Sequence, residues 1–76
     1  MNNERRGRLN DAIRMLSSAS EIIDSVRDNE QDCLDNYPEN LQNSERYERA
    51  EDAIDSLQDA ISSIDDALES IQSAIE

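Results

Sequence analysis

The sequence is short of most residues that do chemistry. It contains no histidine, lysine, tryptophan or phenylalanine, and only one cysteine, one glycine, one proline and two tyrosines in 76 residues. Without histidine there is no imidazole base, no phosphotransfer histidine and no histidine-ligated metal site. A single cysteine excludes an intrachain disulfide framework. Gly7 alone is not a phosphate loop, and no Asp-x-Asp-x-Asp-Gly calcium loop is present. The expectation is a protein that is not an enzyme and that holds no cofactor and no metal.

Long hydrophobic runs are missing too. No apolar stretch approaches the roughly 20 residues of a membrane span. No apolar segment follows the opening Met1-Asn2-Asn3-Glu4-Arg5-Arg6, as a secretory signal requires. A cytoplasmic protein is expected. Positive charge is scarce, with a formal net charge of −12. It is also uneven: residues 1–27 hold five Arg and four acids, net +1, and residues 28–76 hold two Arg and fifteen acids, net −13. Phosphate contacts need cations, so direct nucleic-acid binding is not expected. Anionic membrane surfaces are disfavoured for the same reason, whereas basic protein partners are favoured.

What is present is a helical repeat. From Ala53 the chain reads AIDSLQD, AISSIDD, ALESIQS, AIE, without Gly or Pro. With Leu57, Ile64 and Ile71 at heptad position a, Ala53, Ala60, Ala67 and Ala74 fall at d. Ile54, Ile61, Leu68 and Ile75 then fall at e, and Ser56, Ser63 and Ser70 at g. Apolar a, d and e make one broad stripe, and a strict seven-residue period implies gentle left-handed supercoiling. The a/e flank is bulky and the d/g flank is small. Two neighbours are expected, a more distant one on a/e and a close one on d/g.

The same register appears earlier. Leu9, Leu16 and Ile23 are at a, and Ala12, Ala19, Val26 and Cys33 at d. Ile13 and Leu34 are at e, Met15 and Ile22 at g. It weakens where Arg27 and Glu30 take e and a positions. Cys33, at d, reads as a small buried residue; a reactive thiol needs positive charge nearby, and its neighbours are Asp32 and Asp35. Residues 1–8 read as a basic, fraying start. Helix 1 is expected from about residue 4 to about residue 36, the connection over about 37–44, and helix 2 over about 45–75. Pro38 lacks an amide donor and holds Tyr37 extended, which ends helix 1. Ser44 is a good N-cap, followed by Glu45 and Glu48.

The fold class expected is all-α: an antiparallel two-helix hairpin with coiled-coil-like heptads. Arg5, Arg6, Arg8 and Arg14 have the wrong sign for a helix start, and Asp65, Asp66, Glu69 and Glu76 the wrong sign for a helix end. Antiparallel pairing is expected to set these groups side by side. A hairpin alone leaves half of each stripe in water, so a homodimeric four-helix bundle or higher oligomer is expected. Its core would draw on Leu16, Ile23, Ala53, Ile54, Leu57, Ala60, Ile61, Ile64, Ala67, Leu68 and Ile71.

Two surfaces are candidates for binding. Tyr37, Glu39, Leu41, Arg46, Tyr47 and Arg49 cluster around the connection, where residues more often serve recognition than packing, and exposed Tyr with Arg is a common interface anchor. The plainer alternative is that Tyr37 and Leu41 close the bundle end while Arg46 and Arg49 offset local acid. The second surface is acidic: Asp52, Asp55, Asp59, Asp65, Asp66 and Glu69 stand at b, c and f. These acids read first as a solvated face, not as the inward carboxylates of a di-metal bundle.

The run Val26-Arg27-Asp28-x-Glu30-Gln31, then Asp35-Asn36-Tyr37-Pro38-Glu39-Asn40-Leu41-Gln42-x-Ser44-Glu45-Arg46 and the heptads after it, resembles a group of short acidic helical proteins. That group, of unassigned function, is encoded by bacteriophages, prophages and related bacteria. The resemblance covers roughly residues 9–76. The group usually has Leu at the place of Tyr37 and Gly at that of Tyr47. The resemblance implies a phage-type origin and a role beside host machinery, and supplies no catalytic residues. Three functions follow as expectations. The first is an interaction protein that binds and modulates a host protein, with defence components among the candidates. The second is an acidic nucleic-acid mimic that blocks a basic groove. The third is an oligomeric sponge for a nucleotide signal, held by Arg5, Arg6 and Arg8 or by Arg46 and Arg49.

Overall fold

The computed structural model describes residues 1–76. Helix α1 spans Asn3–Asp35, a single 3₁₀ turn spans Glu39–Leu41, and helix α2 spans Glu45–Ile75. The two helices lie against each other in a rod of 59 × 15 × 13 Å. At 1.5 Å per residue the 33 residues of α1 cover roughly 50 Å, so the rod is one helix long plus its tip. The all-α hairpin expected from the heptads is what forms.

The ends are set by side chains that satisfy free backbone groups. Asn2 caps α1, its side-chain oxygen accepting from the Arg5 amide at 2.9 Å. Glu4 lies in the first turn, where its charge complements the helix dipole. Residues 3–8 are therefore helical, not frayed; an Asn three residues before Arg5 was the overlooked signal. At the far end of α1 the Asn36 side chain donates to the Asp32 carbonyl at 2.9 Å. The Tyr37 amide reaches the Leu34 carbonyl at 3.1 Å. Pro38, at φ −58° and ψ 138°, opens the 3₁₀ turn, and the Leu41 amide donates to its carbonyl at 2.9 Å. Ser44 caps α2 by accepting from the Tyr47 amide at 3.2 Å. No residue of the chain has a positive φ, so the reversal is made without a left-handed turn.

The helices pack through their bulky flanks. Leu9, Ile13, Leu16 and Ile23 of α1 and Ile54, Leu57, Ile61, Ile64, Leu68 and Ile71 of α2 are all partly buried. Only Leu34, at 7% exposure, is fully inside. The small flank of α2 faces away: Ala53, Ser56, Ser63, Ser70 and Ala74 are exposed, with Ala60 and Ala67 partly covered. The more distant neighbour expected on a/e is α1; the close neighbour expected on d/g is not supplied by this chain. Cys33 is exposed rather than buried, because its d position looks past α2 instead of into it.

The expected pairing of N-terminal arginines with C-terminal acids does not form. Arg14 pairs with Asp11 on its own helix, and Arg5, Arg6 and Arg8 take part in no ion pair. Antiparallel packing leaves the two groups at different heights: Arg27 faces Gln58, and Ser17, Ser20 and Glu21 border one groove with Asp65 and Leu68, so Arg5, Arg6 and Arg8 overhang the end of α2 while Asp65, Asp66 and Glu69 lie level with the stretch from Leu16 to Ser20. Arg5 and Arg8 stand at d and g, whereas Asp65, Asp66 and Glu69 stand at b, c and f of α2. The polar tie between the helices is Arg27, whose guanidinium donates to Gln58 of α2. Its other terminal nitrogen, Nη2, holds both Asp24 at 2.6 Å and Asp28 at 3.0 Å. The weak point of the heptad thus becomes a cross-link.

Candidate functional site

The tip gathers the sequence's few aromatic and cationic side chains. Tyr37 follows α1 and Tyr47 lies in the first turn of α2. Their rings meet edge to face, with centroids 5.4 Å apart and planes at 60°, a favourable arrangement for aromatic quadrupoles. Both rings are partly buried. Leu34 lies between two hollows at this end. One, of about 440 Å³, is lined by Glu30, Cys33, Leu34, Tyr37, Arg46, Arg49, Ala50 and Ala53. The other, of about 200 Å³, is lined by Gln31, Leu34, Tyr47, Glu51, Ile54 and Asp55.

The rim of the larger hollow is cationic. Arg46 is exposed and takes part in no hydrogen bond or ion pair. Arg49 pairs with Glu45 one turn back, both side chains being about three-quarters exposed; such a pair is worth only ~0–1 kcal/mol and yields readily to a better partner. Leu41 is 45% exposed on the 3₁₀ turn, and Glu39 is exposed at its start. Of the six tip residues singled out from sequence, Tyr37, Arg46 and Arg49 border one hollow and Tyr47 borders the other. Glu39 and Leu41 stand apart on the turn. Five residues that line the larger hollow were not among the tip residues expected from sequence: Cys33, Leu34 and Ala53 stood at apolar heptad positions, Glu30 at the weak point of the heptad, and Ala50 was not singled out.

The six acids of the second surface, Asp52, Asp55, Asp59, Asp65, Asp66 and Glu69, are all exposed. None of them is engaged in an ion pair. They are dispersed along α2, with Asp55 bordering the smaller tip hollow and Asp65 a groove shared with Glu21 and Asp24 of α1, and no group of three or more His, Cys, Asp or Glu side chains is arranged to hold a metal ion. At the opposite end of the rod, Arg5 and Arg8 line an open hollow of about 360 Å³ with Met1 and Leu9. Arg6 is turned to the other flank, its Nε shielded from solvent without a hydrogen-bond partner. The three arginines therefore do not converge on one anion. No helix is long and apolar enough to cross a membrane.

Comparison with protein families, with curated proteins and with solved structures finds no match for this chain.

Proposed function

We propose that this chain is a non-enzymatic, phage-type interaction protein that docks on a host protein through the hairpin tip and modulates it. A defence component is the kind of target such a protein would meet. The observation that carries this reading is the unpaired Arg46, exposed beside Arg49 on the rim of the hollow that Tyr37 and Leu34 floor. A guanidinium with no internal partner has no bond to give up when it turns toward a carboxylate on another protein, and its planar fork rewards a bidentate one. Tyr37 and Leu34 in the same hollow give that contact an apolar floor.

The test is Arg46→Ala. Because Arg46 is exposed and unpaired, the variant is expected to keep its helical content and melting temperature while losing the partner captured by the unmodified chain. A variant that partly unfolds would assign Arg46 to structure instead. A second reading rests on the six exposed, unpaired acids of α2: they would imitate a phosphate track and occupy a basic groove. Binding of that kind weakens steeply with salt, whereas tip binding anchored on Tyr and Leu contacts changes far less. Titrating the captured complex with NaCl separates the two.

A further inference from the structure

We propose that the open d/g face of the rod, over its length between Arg8 and Arg49, is an interface for a second copy of this chain, apart from the tip arginines that the proposed function uses. The first argument is area. A compact monomer of 8.6 kDa is expected to expose about 4,700 Å²; this hairpin exposes 5722 Å². The excess belongs to the rod shape, and one face 59 Å long and 15 Å wide has room for the ~800 Å² that each partner contributes to an interface of standard size.

The second argument is where the uncovered apolar surface lies. Met15 is 73% exposed, Ile22 66% and Val26 45%, and they follow at intervals of seven and four along one side of α1, with Cys33 seven further on. The small flank of α2 lies on the same side, since Cys33 and Ala53 line one hollow at the tip. Each rod therefore presents a bulky lane from α1 beside a shallow lane of Ala and Ser from α2. An interface between identical copies must be complementary to itself. One rod carries both the ridge and the channel that a second rod needs.

The third argument is charge, and it selects the occupant. The chain has 19 acids, yet no d or g position of either helix carries one. Those positions hold Ala, Ser, Asn, Met, Ile, Val and Cys, with Arg5 and Arg8 at one end and Arg46 and Arg49 at the other. Two copies of net charge −12 repel wherever their carboxylates meet. The middle of the d/g face is the side on which they can join without bringing acids together.

The experiment is sedimentation equilibrium of the full chain over about 5–500 µM, with melting curves at the same concentrations. The expected result is a mass near twice 8.6 kDa and a melting temperature that rises with concentration. Ile22→Asp, and independently Ser63→Asp on the other lane, are expected to weaken association at least about tenfold. Both side chains are exposed in the single hairpin, so neither change disturbs a monomer. Ser63 also lies roughly 25 Å along α2 from Arg46, so a failure here is distinct from a failure of the tip reading. A monomeric mass across the whole range overturns the proposal and assigns the face to a different protein. So does a dimer whose mass neither substitution alters.

Discussion

The two flanks of α2 run side by side along the same helix and meet opposite fates. Along a and e, Ile54, Leu57, Ile61 and Ile64 are drawn in against α1; along d and g, Ala53, Ser56 and Ser63 stay in water. The difference is one of size. Branched side chains reach a neighbour across an ordinary helix spacing and supply most of the apolar area available for burial, at ~25 cal/mol per Å². Ala and Ser offer little area until another backbone comes close. The first flank makes the hairpin. The second leaves a face whose value depends on what approaches it.

The sharpest way to break this comparison is a pair of truncations. Leu34→Ala removes the fully buried side chain and is expected to cost ~2–4 kcal/mol in urea unfolding. Met15→Ala removes a side chain that is 73% exposed in the hairpin, and in an isolated hairpin it is expected to change stability by no more than ~0.5 kcal/mol. Equal costs would show that both flanks are covered in solution. Ala60→Leu probes the small flank from the other direction. If a second backbone lies close, overpacking costs ~1–3 kcal/mol and lowers the melting temperature; an unchanged melting temperature would remove the close-approach argument.

Smaller effects test the ends and the tie. Ser44→Ala deletes the cap on Tyr47 and is expected to cost ~1 kcal/mol, read as a lower urea midpoint with an unchanged slope. Arg27→Ala deletes the cross-helix bond to Gln58 at a side chain only 23% exposed. An expected loss of ~0.5–1.5 kcal/mol should disappear in a double-mutant cycle with Gln58→Ala. A full loss that persists in the cycle would assign the effect to packing of the Arg27 stem instead.

Much of this was legible in the sequence because it is local. Pro38 ends one helix by its chemistry, Ser44 starts the next, and a period of seven fixes which residues share a face. What escaped was non-local or a matter of side. Cys33 and Ala53 share heptad position d with half-covered residues, and only the actual placement of α1 shows that their end of the flank is open. The arginines of the first turns and the acids of the last belong to the same half of the rod, but α1 begins beyond the end of α2, and heptad positions say nothing of that axial offset. Arg27 interrupted the apolar pattern and therefore read as a defect, although a long cationic stem can cover apolar surface and still reach across to Gln58. The tip residues were found by composition, and the fold was needed to show that Tyr37, Arg46 and Arg49 share one hollow while Tyr47 faces another.

A reversal made with no positive φ has a further consequence. The left-handed region is what normally obliges a turn to keep Gly or Asn, and here that obligation is absent. Between Pro38 and Ser44, which do the structural work, Glu39, Asn40, Leu41, Gln42 and Asn43 occupy backbone that almost any L-residue can adopt. The apex is thus free to diversify without refolding the rod. A lineage that must keep pace with a changing target could rewrite these five positions while the helices beneath stay as they are, and a randomised library at the same positions would draw on the same latitude.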